Sequence, residues 1–140
     1  DIGGEILYVG AGTGFSLDIL AEAFPRACVG VEPSEGMRRQ YRGTQELMAG
    51  EAEDLPFEDG RFGGTVSLTA IQNFRDISRG VAEMVRVTKP GGALIVTCLK
   101  KSRQLKTVSK ELAEQATVED IIEEDKDIIF CCRTPKQAFK

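Results

Sequence analysis

Short apolar runs alternate with amphipathic stretches along most of the chain. The apolar runs have the length of strands and lie at residues 6–9, 27–31, 46–49, 63–68 and 93–99. Between them, apolar residues recur with a helical period, as at Ile77, Val81, Met84 and Val85. Strands that alternate with helices predict an α/β fold, in which a mainly parallel, doubly wound sheet is covered on both faces.

The expected helices have recognisable ends. We predict helices at residues 15–24, 35–42, 76–87 and 102–114, with Ser34 capping the second and Pro25 ending the first. The turn Lys89-Pro90-Gly91-Gly92 is predicted to separate the third helix from the strand at 93–99. Strand-like runs at 118–122 and 128–132 flank a polar turn, so we expect a closing hairpin with one antiparallel strand. A length of 140 residues predicts a single domain over residues 1–140.

A glycine-rich turn follows the first strand. Gly10, Gly12 and Gly14 form a GxGxG pattern, whereas the dinucleotide fingerprint GxGxxG would need glycine where Phe15 stands. Such a turn lets the backbone approach a ligand closely, although a plain tight turn would have the same composition. At the end of the second strand, Glu32 is placed to accept hydrogen bonds from ribose hydroxyls, the alternative being a solvated surface residue.

An acidic loop at residues 50–57 follows the third strand. Its carboxylates and backbone could meet an adenine ring, or the loop could be an acidic surface pinned by Leu55 and Phe57. Taken with the glycine turn and Glu32, this loop favours a cofactor that carries a nucleoside.

Together these segments resemble the class I S-adenosylmethionine-dependent methyltransferases, especially the branch that includes the ubiquinone/menaquinone biosynthesis enzymes. The matching segments stand in the family's order at residues 6–14, 31–37, 50–57 and 83–92. The resemblance implies a Rossmann-like sheet of seven strands in the order 3-2-1-4-5-7-6, with strand 7 antiparallel. It implies S-adenosylmethionine as the cofactor and S-adenosylhomocysteine as its product.

The resemblance also implies a set of cofactor-binding residues and no metal. Carried over by motif position, the set is Gly10, Ala11, Gly12, Gly14, Glu32, Pro33, Met37, Glu51, Ala52, Thr69 and Ala70. The glycines would hold the methionine part, Glu32 the ribose, and Glu51 with Ala52 the adenine edge, Glu53 being the competing choice. Thr69 and Ala70 would lie near the methionine end.

Among the chain's departures from the family's pattern, two bear on the cofactor site. Tyr8 stands where the family commonly has an acidic residue, which we expect to weaken or rearrange cofactor contacts. The family's helices before the first strand are missing, so we expect an open site that a second copy or a partner subunit would cover.

The resemblance does not specify the acceptor. Methyl transfer from a sulfonium is an in-line displacement, for which proximity and orientation can suffice. Gln72 and Asn73 follow the fourth strand and are candidates for orienting an acceptor, though ordinary loop residues would look the same. Lys100, Lys101 and Arg103 follow the fifth strand and would suit an anionic acceptor or RNA, unless they only pair with the acidic segment 111–127. A small-molecule acceptor is favoured over RNA.

The composition of the chain argues against several classes of function. The formal net charge of −4 argues against general nucleic-acid binding, and the lack of histidine removes histidine-based triads. The four cysteines form no CxxC pair, which indicates buried thiols in a reducing cytoplasm, and we expect no membrane span or signal peptide. The leading prediction is a methyltransferase, and the alternative is a cofactor-binding but catalytically inert subunit or regulator. A nicotinamide-dependent oxidoreductase is disfavoured by Phe15.

Overall fold

The computed structural model describes residues 4–23 and 27–136, and these residues contain seven strands and four α-helices. The strands are β1 (Ile6–Val9), β2 (Cys28–Val31), β3 (Glu46–Met48), β4 (Phe62–Leu68), β5 (Thr88–Leu99), β6 (Thr117–Glu123) and β7 (Asp127–Arg133). The helices are α1 (Phe15–Ala23), α2 (Glu35–Arg38), α3 (Ile77–Val87) and α4 (Leu105–Gln115). A short 3-10 helix, Ile71–Asn73, follows β4.

The strands form one sheet in the order β3-β2-β1-β4-β5-β7-β6. Neighbouring strands from β3 to β5 pair in parallel, whereas β7 runs antiparallel to both β5 and β6. The predicted fold class, strand order and closing hairpin are therefore confirmed. The order of the first four strands in space brings the carboxyl ends of β1, β2 and β4 together, and this edge carries the site described below.

Two hydrophobic cores lie on opposite faces of the sheet. Leu7 and Val9 of β1 belong to the larger core, which also contains buried residues of α3 and α4. Ile6 and Tyr8, the alternate residues of β1, belong to the smaller core together with Leu17 of α1. A strand buried on both faces explains why β1 reads as an uninterrupted apolar run.

Helix α2 is shorter than predicted. It begins after Ser34, whose hydroxyl accepts a hydrogen bond from the Met37 N–H at 3.2 Å, but it ends at Arg38 and not at residue 42. After Arg38 the backbone bonds tighten to the i→i+3 type, as from the Tyr41 N–H to the Arg38 carbonyl at 3.1 Å, and the Tyr41 hydroxyl donates to Asp18 of α1 at 2.6 Å. The predicted end of the first helix at Pro25 lies outside the described residues.

Strand β5 starts earlier than predicted and α4 starts later. The segment Lys89–Gly92 is part of β5, and the Thr134 hydroxyl bonds both of its ends. Thr134 Oγ1 accepts from the Gly92 N–H at 3.0 Å and donates to the Lys89 carbonyl at 2.7 Å. Helix α4 begins at Leu105, since Ser102 forms a turn in which its hydroxyl accepts from the Gln104 N–H. No helix in residues 4–23 and 27–136 is long and apolar enough to cross a membrane.

Candidate functional site

A cavity of about 400 Å³ opens at the carboxyl ends of β1, β2 and β4. Its volume falls in the range of small-molecule sites, roughly 300–1,000 Å³. Its position is the one at which open α/β sheets bind ligands. Residues predicted for the site that line this cavity are Gly10, Gly12, Glu32, Pro33, Met37, Glu51, Ala52, Glu53, Thr69, Ala70 and Asn73.

The glycine turn forms one wall of the cavity, and its geometry requires glycine. Gly10 and Gly12 have φ values of +76° and +60°, a region that L side chains rarely adopt. A Cβ at Gly10 would stand 2.6 Å from the Cβ of Ala70, so this glycine allows the turn after β1 to meet the segment after β4. A Cβ at Gly12 would make only an ordinary van der Waals contact, with Met37 Sδ at 3.9 Å, so protein atoms do not crowd this position. Gly12 therefore leaves room in the cavity for a ligand.

Glu32 joins the glycine turn to the end of β2. Its carboxylate is buried, and Oε1 accepts the Gly12 N–H at 2.8 Å while Oε2 accepts the Ser34 N–H at 2.9 Å. A carboxylate offers about four acceptor positions, so two backbone amides leave capacity on the side that faces the cavity. The side chain is thus held in place by the protein and can still accept hydrogen bonds from a ligand.

The loop at residues 50–57 forms the opposite wall and is fastened from beneath. Glu83 of α3 accepts the Leu55 N–H at 2.8 Å and pairs with Arg86 at 2.6 Å. Arg86 also donates to the carbonyls of Leu55 and Phe57, at 3.0 and 2.8 Å. Burial raises the pKa of Glu83, but the hydrogen bonds from Arg86 and Leu55 outweigh burial and hold this pKa below its ordinary value.

The two acidic candidates in this loop have different surroundings. Glu53 is buried, and its carboxylate accepts the Asp76 N–H at 3.0 Å, which ties the loop to the start of α3. Glu51 is exposed and pairs with Arg75 at 3.1 Å. Because Arg75 also lines the cavity, this ion pair joins the loop after β3 to the segment after β4 across the cavity mouth.

Other residues predicted for the site do not line the cavity. Ala11 is buried against the position of Gly30, and Gly14 lies under the ring of Tyr41, which a Cβ at Gly14 would approach to 2.2 Å. The Gln72 amide donates to the Thr69 carbonyl at 3.0 Å. Tyr8, in the smaller core, bonds Ser16, and burial raises the pKa of its hydroxyl.

The basic cluster after β5 also lies outside the cavity lining. Lys100 pairs with Glu123 of β6 at 2.7 Å. Lys101 and Arg103 are exposed on the turn that leads to α4. The structure therefore places one member of the cluster against the acidic segment 111–127.

Comparison with known proteins decides the family. A model described as a methyltransferase domain matches residues 7–96. The chain belongs to this methyltransferase family. The resemblance noted from the sequence is thereby confirmed, and the matched region contains every cavity-lining residue named above.

Curated relatives of this methyltransferase domain include quinone-modifying enzymes. The chain is 39% identical over 112 residues to a demethylmenaquinone methyltransferase of Symbiobacterium thermophilum, a match that covers 72% of the chain and 44% of the relative. It is 36% identical over 105 residues to a ubiquinone/menaquinone biosynthesis C-methyltransferase of Geobacter sulfurreducens, with 67% and 41% covered. The matches thus span less than half the length of these relatives.

Solved structures share the fold of the methyltransferase domain. A SAM-dependent methyltransferase from Aquifex aeolicus superposes with a TM-score of 0.82 at 17% identity, covering 96% of this chain and 84% of that one. The PH0226 protein from Pyrococcus horikoshii gives 0.83 at 20% identity, with 94% and 82% covered. A Haloferax volcanii methyltransferase in complex with the activator Trm112 gives 0.80 at 17%, with 96% and 84% covered. These likenesses support the fold.

The sequence did not point to several residues that shape the site of this methyltransferase domain. Thr97 of β5 bonds Thr69 at the cavity edge, and Glu83 and Arg86 hold the loop at 50–57. Phe74 and Arg75 line the cavity beside Asn73. Each of these contacts joins residues at least 20 positions apart or depends on the local turn, so no motif spacing could have indicated it.

Proposed function

We propose that this methyltransferase domain transfers a methyl group from S-adenosylmethionine to a small quinone-type acceptor. The observation that carries the proposal is the buried Glu32 carboxylate beside the open face of Gly12, in a cavity formed by the family's own motif segments. The names of the curated relatives support both the reaction and the type of acceptor.

Two features of the cavity, at Gly12 and at Glu32, suit the cofactor. The absence of a Cβ at Gly12 leaves the space that a bound chain of atoms would fill. The unused acceptor positions of Glu32 suit a pair of neighbouring hydroxyls, which is what a ribose presents. We assign Gly10 and Gly12 to the methionine part, Glu32 to the ribose, and Glu51 and Ala52 to the adenine edge.

The residues of the domain contribute binding and orientation. S-adenosylmethionine, when bound, supplies a methyl group on a positively charged sulfur that is already activated for displacement. The protein then needs to hold the acceptor in line and close, which can account for a large share of a rate enhancement. Thr69, Asn73 and Phe74 line the cavity on the side of β4. The methionine end, near which Thr69 was expected, is where cofactor and acceptor would meet, and we assign this wall to the acceptor.

The test is methyl transfer by the purified protein to reduced demethylmenaquinone, followed by mass spectrometry of the quinone product. We expect the wild type to form methylated product together with S-adenosylhomocysteine. Glu32→Gln is expected to lower kcat/KM for S-adenosylmethionine about 10- to 100-fold, because hydrogen bonds to a charged group contribute roughly 1.5–3 kcal/mol. Glu35→Gln is the matched control, since Glu35 is exposed and pairs only with Arg39 among the described residues.

The same assay distinguishes the proposed reaction from an inert cofactor-binding subunit and from an RNA methyltransferase. Cofactor binding without any product from quinones or other small aromatic acceptors would contradict the proposed reaction and support the inert alternative, which neither the described residues nor the comparisons favour. Product formed from RNA and abolished by Lys101→Ala with Arg103→Ala would contradict the proposed acceptor.

A further inference from the structure

Thr69 has a backbone conformation that its side chain disfavours. Its φ is +55°, the only positive φ of a non-glycine residue in the described part of the chain. β-branched residues rarely adopt this region, and such outliers gather at functional sites when surrounding structure holds them there. Thr69 follows β4 directly, is exposed and lines the cavity.

Thr97 on the neighbouring strand holds Thr69 in this conformation. The Thr69 N–H donates both to Thr97 Oγ1 at 2.7 Å and to the Thr97 carbonyl at 3.1 Å. The two hydroxyl oxygens are 3.1 Å apart. Because Thr97 is buried, its hydroxyl supports Thr69 from within the protein, whereas Thr69 itself lines the cavity.

The Thr69 hydroxyl keeps hydrogen-bonding capacity beyond its bond to Thr97. A hydroxyl donates one hydrogen bond and can accept two. If Thr97 donates to Thr69, the Thr69 O–H is available to donate to a ligand. If Thr69 donates to Thr97, the Thr69 oxygen is still available to accept. In both arrangements Thr69 Oγ1 keeps hydrogen-bonding capacity at the cavity surface.

Gln72 supports Thr69 from the other side. Its side-chain amide donates to the Thr69 carbonyl at 3.0 Å, and Gln72 itself does not line the cavity. The side-chain nitrogen of the amide that was expected to face an acceptor therefore bonds the residue that does face the cavity.

We propose that the Thr69 hydroxyl orients the acceptor through an oxygen atom on its ring, and that Thr97 and Gln72 are positioning residues that act through Thr69. This inference rests on the proposed function, and it names the group that would recognise a hydroxyl or carbonyl of a quinone-type ring. The left-handed turn at Thr69 then sets the hydroxyl at the start of the wall that continues through Asn73 and Phe74.

The first test compares Thr69→Val with Thr69→Ser, using reduced demethylmenaquinone as the acceptor. Valine keeps the branched shape and loses the hydroxyl, whereas serine keeps the hydroxyl. We expect Thr69→Val to lower kcat/KM for the quinol about tenfold, the size of one lost hydrogen bond, and Thr69→Ser to restore most of it. The Kd for S-adenosylhomocysteine, measured by isothermal titration, should stay within about twofold in both.

Two results would overturn the role of Thr69. An unchanged kcat/KM in Thr69→Val would show that the hydroxyl does not contact the acceptor. A parallel loss of S-adenosylhomocysteine affinity would place Thr69 in the cofactor site.

The second test concerns Thr97 and needs neither cofactor nor acceptor. Thr97→Val removes the hydroxyl, the nearer of the two Thr97 acceptors of the Thr69 N–H, and leaves the carbonyl, whereas Thr97→Ser retains both. We expect the Thr69 amide proton to exchange with solvent several-fold faster in Thr97→Val and at the wild-type rate in Thr97→Ser. Equal exchange in all three proteins would overturn the positioning role. Failure of the wild type to methylate any quinol would instead contradict the proposed function, and the exchange result would stand apart from it.

Discussion

Two of the walls that line the cavity, the loop at residues 50–57 and the segment at residues 69–75, are held in different ways. The loop at residues 50–57 is fixed by charge: Glu83 and Arg86 bond three of its backbone groups from beneath, and Glu53 ties it to the start of α3. The segment at residues 69–75 is held by neutral groups, Thr97 and Gln72, around one residue in a disfavoured conformation. Its ion pair between Arg75 and Glu51 is exposed.

The difference matches the roles that we propose for the walls. Partly buried hydrogen bonds to charged groups contribute more than exposed ion pairs or single neutral bonds, so the wall assigned to adenine is the more firmly fixed. The wall assigned to the acceptor depends on a few neutral contacts. Substitutions there are expected to change acceptor preference at little cost in stability, whereas substitutions beneath the other wall should unfold the site.

The largest expected effect comes from removing the charged support. Arg86→Ala leaves the buried Glu83 carboxylate without its partner and removes two bonds to the loop at 50–57. We expect a loss of about 3 kcal/mol in the free energy of unfolding, measured by urea denaturation. The control is Arg39→Ala, which breaks the exposed pair with Glu35 and should cost less than about 0.5 kcal/mol. Similar losses in the two variants would remove the distinction between the walls.

An intermediate effect is expected at Gly14, on the side of the glycine turn. Alanine there would place a Cβ 2.2 Å from the Tyr41 ring, at a φ of +85°. We expect Gly14→Ala to lower the unfolding free energy by about 2–3 kcal/mol. The double variant with Tyr41→Ala should lose less than the sum of the two single variants, because the clash is then absent. Additive losses would show that the ring does not press on Gly14.

A smaller effect is expected from pH. The folded state holds the pKa of Glu83 below its ordinary value, despite the opposing effect of burial. The stabilisation from this group is therefore complete above the unfolded pKa of about 4.3 and is lost as pH falls through the lower folded value. We expect the urea midpoint to fall between pH 5 and 3 by less in Glu83→Gln than in the wild type. An identical slope in the two proteins would contradict the role of Glu83.

The sequence predicted the glycine turn and Glu32, which we assign to the cofactor, better than the segment at residues 69–75, which we assign to the acceptor. The glycine turn and Glu32 stand out in the local sequence pattern, whereas the strand order was implied by the family resemblance. The structure brings Gly10, Gly12 and Glu32 together at one cavity. By contrast, the contact that holds the chain after α2 joins Tyr41 to Asp18, which are 23 positions apart. The conformation of Thr69 depends in the same way on Thr97 of the next strand. Contacts of this kind join residues that are distant in the sequence and share no motif, so no spacing in the sequence could have predicted them.

Gln72 is a residue that the sequence suggested for the site but that the structure places outside the cavity lining. An amide in the loop after β4 is a reasonable candidate for contacting an acceptor, and its residue type alone gave no sign that it would bond the Thr69 carbonyl. Asn73, the other candidate, does line the cavity. Which of two adjacent polar residues faces a site is set by the turn of the 3-10 helix at Ile71–Asn73, which the sequence did not predict.

The most direct test of the central claim is isothermal titration of S-adenosylhomocysteine into the wild type, Glu32→Gln and Glu35→Gln. We expect micromolar binding by the wild type and by Glu35→Gln, with affinity about 10- to 100-fold weaker in Glu32→Gln, at matched folding by circular dichroism. Equal affinity in all three proteins, or no binding by a folded wild type, would contradict the assignment of this cavity to the cofactor.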